Sequence, residues 1–281
     1  MWIAFPVLDD IVDRTLREDL GAGDLTTEAT VPVDAQAVAT AVARSPLVVC
    51  GGLVFRRVFE RLEPTVTFES LVADGTHVER GAEIWRVRGS ARALLMAERS
   101  ALNLVQRMSG TATAARTYVA ALPEGSTTRI TDTRKTTPGL RVLERYAVRC
   151  GGAHNHRDSL GTAVMIKDNH IIAAGGIAPA VERARARAPH LSKIEVEVAN
   201  LAELDVALAA RADVVMLDNF TPDQLAEAVR RAKGKALLEA SGGITLATLA
   251  DYAKTGVDVI SVGALTHSAN AADIALDLAL A

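Results

Sequence analysis

Cysteine is almost absent from this chain. Its 281 residues include two, Cys50 and Cys150, too few for a disulfide framework and without any metal-ligating spacing, and two isolated thiols fit a reducing compartment. An excess of either charge is missing as well. With a formal net charge of -3 the chain has no global attraction for nucleic acid or an acidic membrane, so any anion binding has to be local. No uncharged run approaches the ~20 residues needed to cross a bilayer. The opening MWIAFPVLDD lacks a basic stretch and gains two acids at once, unlike a secretory leader. The expectation is a cytoplasmic protein. What is present is an ordinary globular composition, 49% hydrophobic and 23% charged, at a length that supports one large or two ordinary domains.

The two halves of the chain are patterned differently. From about Val31 to Val87, the short β-rich runs AVATAVA, PLVVCGG, TVTFES and EIWRVRG are separated by Gly, Asp and Pro turns, which predicts a small sheet-containing domain. From Ala91 to Leu122 the apolar residues Leu94, Leu95, Leu102, Val105 and Met108 fall at helical spacing. The small-residue stretch SGTAT, Ser109 to Thr113, is expected to interrupt that helix. Then six apolar strands follow, RITDT, AVMIKDN, KIEVEVA, DVVMLDN, ALLEASG and DVISVG, each succeeded by a helical segment. Such alternation favours a parallel sheet, either doubly wound or curled into a barrel. The barrel is preferred because every strand ends in polar residues or glycine: Arg134 and Lys135, Lys167 and Asp168, Glu197, Asp218, Ser241 to Gly243, and Gly263. In a β/α barrel those ends converge on one face, where active sites lie.

A rim holding these cations, acids and glycine turns suits a polyanion together with a metal. The turns ASGGI and SVGAL follow the last two strands, where barrels often bind phosphate through backbone N–H groups. Either could also be a plain tight turn. Glu197 and Asp218 end neighbouring strands and could hold Mg²⁺ or sugar hydroxyls, or simply pair with nearby lysines. Glu195 shares the parity of Glu197 in EVEV, so both should point into the barrel and need positive company.

The segment from Cys150 to His170 carries His154, His156, Arg157, Lys167 and His170. Three histidines invite a metal reading, but the surrounding Arg and Lys would repel a cation. As readers of anions these residues make better sense, arginine gripping a carboxylate bidentately and lysine adding a point charge. With TDTRK they form a cationic patch suited to a small di- or polyanion.

Taken in order, EDLGAGDLTT, AERSALNLVQRMSGTAT, DTRKTTPGLR, YAVRCGGAHNHR, IKDNH, EVEV, MLDNF, EASGGI and VISVGALTHSA run through nearly the whole chain. The series resembles the quinolinate phosphoribosyltransferase family, to which DTRKTTPGLR and IKDNH are specific along with its near relatives. The resemblance implies an α/β protein, with an N-terminal α/β sandwich-like domain and linking helix over 1–110 and an incomplete parallel β/α barrel over 111–281. It further implies a homodimer or homohexamer. The implied reaction takes phosphoribosyl pyrophosphate and quinolinate, with Mg²⁺, to nicotinate mononucleotide, pyrophosphate and CO₂ in de novo NAD biosynthesis.

Position by position, the resemblance implies a pyridine dicarboxylate pocket of Thr133, Arg134, His156, Arg157 and Lys167, with Arg99 reaching in from a neighbouring subunit. Lys135 falls beside the phosphoribosyl pyrophosphate. Lys135, Lys167, Glu197 and Asp218 are the implied catalytic groups, the two acids also meeting ribose hydroxyls and Mg²⁺, partly through the substrate. Ser241, Gly242, Gly243, Gly263 and His267 are the implied 5′-phosphate site. TDTRK then serves two anions, since adjacent residues leaving a strand point different ways.

Two departures from the family pattern stand out. The usual run of three glycines reads Gly151-Gly152-Ala153, and Thr162 replaces an acid expected before IKDNH. Other readings are a phosphoribosyltransferase paralogue associated with molybdenum transport, whose IKDNH element should be degenerate, a barrel aldolase using Lys167 as a Schiff-base amine, and a non-catalytic sensor of phosphoribosyl compounds.

Overall fold

The computed structural model describes residues 3–281; Met1 and Trp2, which begin the segment read as lacking a leader, lie outside the described residues. The chain divides into two compact units that are not contiguous in sequence.

One unit comprises the residues up to Arg116 together with Thr136–Gly152 and Leu265–Ala281. Its elements begin with α1 (Phe5–Leu20), α2 (Leu25–Thr30), β1 (Gln36–Ala43), β2 (Leu47–Val48), α3 (Gly52–Leu62), β3 (Thr67–Ser70), β4 (His77–Val78), β5 (Glu83–Ser90) and the long α4 (Ala91–Ala120), whose end runs on beyond this unit. Every second residue of β1 is a buried alanine, the alternation of a strand with one face on a core. On α3 the buried Val54, Phe55, Val58 and Phe59 form one helical stripe. Phe55 packs on Phe59 and Trp85, with ring centroids 4.9 and 5.0 Å apart, pairs that contribute about 0.5–1.5 kcal/mol each beyond their burial.

The expected interruption of α4 does not occur, and the helix runs through SGTAT unbroken. Those small residues serve close packing. A Cβ on Gly110 would lie 1.9 Å from the Asn270 carbonyl oxygen. The Ser109 hydroxyl accepts from the Cys50 amide and donates to the Cys50 carbonyl, both at 3.1 Å.

The other unit, Thr117–Lys135 with Ala153–Ala264, carries all six strands read from the sequence. In chain order the remaining elements are β6 (Arg129–Thr131), α5 (Arg141–Cys150), β7 (Val164–Ile166), α6 (Asp168–Ala174), α7 (Ile177–Arg187), β8 (Ile194–Val198), α8 (Leu201–Ala209), β9 (Val214–Asp218), α9 (Pro222–Ala232), β10 (Leu237–Ser241), α10 (Leu249–Ala253), β11 (Val259–Ser261), α11 (Ala264–His267) and β12 (Ile274–Leu280). Of these, α5, α11 from Leu265 on and β12 belong to the first unit, where β12 pairs antiparallel with β1 in a sheet ordered β12-β1-β5-β3.

The barrel sheet is parallel and ordered β6-β11-β10-β9-β8-β7. It is incomplete, because no ladder among the described residues joins β7 to β6. Instead an extended segment lies along β6, the His154 amide donating to the Ile130 carbonyl (2.8 Å) and the Asp132 amide to the His154 carbonyl (3.1 Å). In β8 and β9, Val196, Val198, Val215 and Leu217 are buried, while the residues of opposite parity, Glu195, Glu197, Met216 and Asp218, face inward. Helix starts are capped where the sequence provides for it: Thr221 and Gln224 form a reciprocal box at α9, with Pro222 at its first position, as the preference for Ser or Thr followed by Glu or Gln dictates.

Candidate active site

A cavity of about 400 Å³ opens at the carboxyl ends of the barrel strands, a size typical of small-ligand pockets. Its cations come from three short segments. Thr133, Arg134 and Lys135 leave β6, His156 and Arg157 come from the segment lying along β6, and Lys167 follows β7. Glu197, Asp218 and Ser241, at the ends of β8, β9 and β10, complete the lining predicted from sequence. Strand register accounts for the gathering: Glu197 stands level with Met216, Met216 with Glu239, and Asp218 with Ser241.

Asp132 fixes this wall from behind. It is fully buried and accepts from the His156 amide and from Asn155 Nδ2, both at 2.7 Å. Its carboxylate thereby ties the TDTRK turn to the NHR segment. The Lys135 amide donates to Thr133 Oγ1 at 3.1 Å. Arg157 donates Nη1 to the Ala163 carbonyl at 3.1 Å. Burial, followed by the charge of Arg134, pushes the Arg157 guanidinium below its usual range. Crowded like charges of this kind are relieved by a bound anion.

His156 occupies the centre of a buried cluster. Its Nε2 lies 3.2 Å from Glu195 Oε2 and 3.5 Å from Glu239 Oε2. Burial alone would depress the imidazole, but hydrogen bonds to both glutamates and their charges outweigh it and lift His156 to about 10. Burial also raises Glu195, with the neighbouring Glu239 charge adding to it. His156 is therefore an imidazolium at neutral pH, presented to the cavity by two acids. The partner that Glu195 was expected to need is His156. The other inward acid, Glu197, accepts from Lys167 Nζ at 2.5 Å, and the Lys167 backbone amide donates to His170 Nδ1 at 3.1 Å.

The turns after β9 and β10 interlock. The Asn219 amide donates to the Ser241 carbonyl at 2.9 Å, and Asn219 Nδ2 to Asp218 Oδ2 at 2.7 Å. Gly242 has φ +98°, and a Cβ there would lie 2.2 Å from Asn219 Oδ1, so only glycine fits. At Gly243 a Cβ would meet nothing within 4 Å, which leaves that side of the turn open.

Residues 24–109 match the N-terminal domain and residues 111–277 the C-terminal domain of quinolinate phosphoribosyl transferase. The chain belongs to the quinolinate phosphoribosyltransferase family. It is 45% identical over 280 residues to the nicotinate-nucleotide pyrophosphorylase [carboxylating] of Mycobacterium leprae, covering 98% of each chain. With the human protein of the same name it shares 42% over 272 residues, 95% of this chain and 90% of the other. The structure of NadC from Streptococcus pyogenes superposes with a TM-score of 0.96 at 39% identity, covering 100% of this chain and 99% of that one.

Not every residue implied for this phosphoribosyltransferase lines the cavity. Gly242, Gly243 and Gly263 do not appear in its wall. Arg99 is exposed on α4, and His267 is exposed with Nδ1 2.6 Å from Ser268 Oγ; both lie in the other compact unit. Among the described residues His154, His156 and His170 do not gather as metal ligands; the acid-rich cluster around His156 forms instead. Sequence reasoning missed Asp132, Met165, Met216, Glu239 and Ser261. The last four line the cavity, and strand parity was the available signal, since Glu239 lies two residues before Ser241 as Glu195 does before Glu197.

Both departures from the family pattern are locally benign. Gly151 is required, because a Cβ there would lie 2.4 Å from the Ala112 carbonyl oxygen, and Gly152 has φ +92°. Ala153 is buried without a positive φ, and the exposed Thr162 hydroxyl donates to the Ser159 carbonyl at 3.3 Å.

Proposed function

We propose that this enzyme of the quinolinate phosphoribosyltransferase family transfers phosphoribose from phosphoribosyl pyrophosphate to the ring nitrogen of quinolinate, releasing pyrophosphate and CO₂ in de novo NAD biosynthesis. One observation carries the reading: a single cavity is lined by Arg134, Lys135, His156, Arg157 and Lys167 together with Glu197 and Asp218. That many cations suit two polyanionic substrates, and the carboxylates suit a centre that becomes positive.

Arg134, His156 and Arg157, with Thr133, would hold the two carboxylates, while Lys135 faces the pyrophosphate. The turn at Ser241, Gly242 and Gly243, with Gly263, would hold the 5′-phosphate. Departure of pyrophosphate leaves an oxocarbenium-like ribose C1, which Glu197 and Asp218 stabilise while the ring nitrogen attacks. Substrate anions near Lys167 would draw it from Glu197, freeing that carboxylate for the ribose. N-glycosylation makes the ring nitrogen positive, so the C2 carboxylate can leave as CO₂ with its electron pair held beside the cation until protonation. Positioning both substrates in register contributes the proximity term.

Glu197 and Asp218 offer carboxylate oxygens only, the donors Mg²⁺ prefers, and this ion is commonly held by one or two carboxylates with substrate phosphates and water. The residues therefore fit Mg²⁺ held partly through the substrate. Bound there, the ion would neutralise charge on the departing pyrophosphate.

Arg99 would complete the dicarboxylate pocket of a neighbouring subunit in a homodimer or homohexamer, its exposed place on α4 leaving it available. Two free cysteines suit a cytoplasmic enzyme, and no helix among the described residues is long and apolar enough to cross a membrane. The Schiff-base reading is disfavoured because the Lys167 amine is tied to Glu197, whereas that chemistry needs a neutral amine. The intact IKDNH argues against the molybdenum-associated paralogue. The test is an assay with carboxyl-labelled quinolinate, phosphoribosyl pyrophosphate and Mg²⁺. Equal release of pyrophosphate and labelled CO₂ is expected, and no release of either overturns the reading.

A further inference from the structure

The two cysteines of the chain stand 100 positions apart in sequence and meet in the fold. Cys50 Sγ, Cys150 Sγ and a carboxylate oxygen of Asp74 all lie within 4.8 Å of one another. Both thiols sit on restrained backbone. Cys50 is pinned by the two hydrogen bonds its amide and carbonyl make with the Ser109 hydroxyl. Cys150 closes α5, where the Gly151 amide donates to the Ala147 carbonyl at 3.0 Å and Arg116 Nε to the Gly151 carbonyl at 3.1 Å. Their exposure differs: Cys50 is completely buried, while Cys150 retains partial access to solvent.

We propose that Cys50 and Cys150 are a redox modification site, joined by a reversible intramolecular disulfide when a hydroperoxide reaches Cys150. The Cys150 thiolate attacks the peroxide, forming an S–O bond as the O–O bond breaks and expelling hydroxide, which leaves a sulfenic acid. The Cys50 sulfur then attacks the Cys150 sulfur; the S–S bond forms, the sulfenic oxygen leaves as water with the Cys50 proton, and two electrons have passed from the thiols to the peroxide. The division of roles follows the environments. A hydrogen bond from the Cys50 thiol pulls Cys150 below the usual thiol range, whereas burial pushes Cys50 up, so Cys150 is the sulfur that ionises and Cys50 the one that resolves. A metal held by the same three residues fits less well. The Asp74 carboxylate is already engaged, accepting from the Gly51 amide (2.9 Å), the Gly52 amide (3.1 Å) and Tyr146 Oη (2.9 Å).

The test treats the reduced, full-length enzyme with a small excess of hydrogen peroxide, quenches with catalase, alkylates in denaturant and weighs the intact chain. The expected result is loss of both alkylatable thiols with a mass decrease of two hydrogens. Digestion should yield one linked peptide pair containing Cys50 and Cys150, and dithiothreitol should restore both thiols. Cys50→Ala should stop at a Cys150 sulfenic acid that dimedone traps, and Cys150→Ser should leave Cys50 reduced. The proposal is overturned if wild-type protein still takes up two alkyl groups, if oxygen adducts accumulate on Cys150 while Cys50 stays alkylatable, or if the disulfide joins two chains.

Discussion

His156 illustrates how single residues set the chemistry of this cavity. Its folded-state value is raised from 6.5 to about 10, so the stabilisation it shares with Glu195 and Glu239 is fully present below the ordinary imidazole range and is lost as pH rises through about 10. Ring NMR of His156 should show a titration near that upper value, and a midpoint near 6.5 would contradict the cluster. Glu239→Gln removes one supporting charge, so it should lower the His156 midpoint and raise KM for quinolinate about tenfold, with a smaller change in kcat. Arg134, Lys167 and Asp218 were legible in the sequence because polar residues at the ends of apolar strands have one obvious place to go. Glu239 was not. A lone acid inside ALLEASG reads as an ordinary strand residue until register places it level with Met216 and against His156.

Among the elements, the Ser, Gly and Thr residues of SGTAT have low helix propensity and predict a break in α4. Tertiary packing decides otherwise, since Gly110 lets the Asn270 backbone approach. Gly110→Ala should therefore destabilise the protein by about 2–3 kcal/mol through overpacking, read as a fall in the urea midpoint; an unchanged midpoint would contradict the close approach. An ion pair between the half-buried Arg107 and the buried Glu144 ties α4 to α5: Arg107 lies 2.8 Å from Glu144 Oε1, and Glu144 also accepts from the Thr137 amide at 3.0 Å and the Thr137 hydroxyl at 2.7 Å. Arg107 donates further to the Thr266 and Ala269 carbonyls. Glu144→Ala removes the counterion of the half-buried Arg107 and leaves the Thr137 amide and hydroxyl without their acceptor, which should cost about 2–3 kcal/mol in the same experiment. None of this was legible in sequence, because both partners sit among the many charges of helical segments. The six barrel strands were legible, since their apolar runs end in polar residues or glycine and alternate with helical segments through the second half of the chain.

For the molecule as a whole, both the barrel and the first sheet were foreseen, but the return of β12 to pair with β1 was not. The pairing joins the first and last strands across more than two hundred residues, from Ala37–Leu280 to Ala43–Ile274, and local patterning cannot announce it. Assembly is where Arg99 acquires its proposed role. If it serves a neighbouring subunit, mixing the weakly active Arg99→Ala and Arg134→Ala proteins and letting subunits exchange should raise activity to about a quarter of the wild-type level in a dimer, because half the dimers are mixed and each holds one intact site. No recovery on confirmed exchange would place Arg99 in its own subunit's site or outside it. Recognition of the second carboxylate of the pyridine substrate by the cationic wall is tested by kcat/KM for quinolinate against nicotinate in the wild type and in Arg134→Ala. A preference for quinolinate of about 10⁴ or more is expected in the wild type, since a substrate lacking one carboxylate forgoes the charge-assisted hydrogen bonds this wall can make, and most of that preference should be lost in Arg134→Ala. Equal use of both substrates, or a preference untouched by the substitution, would contradict it.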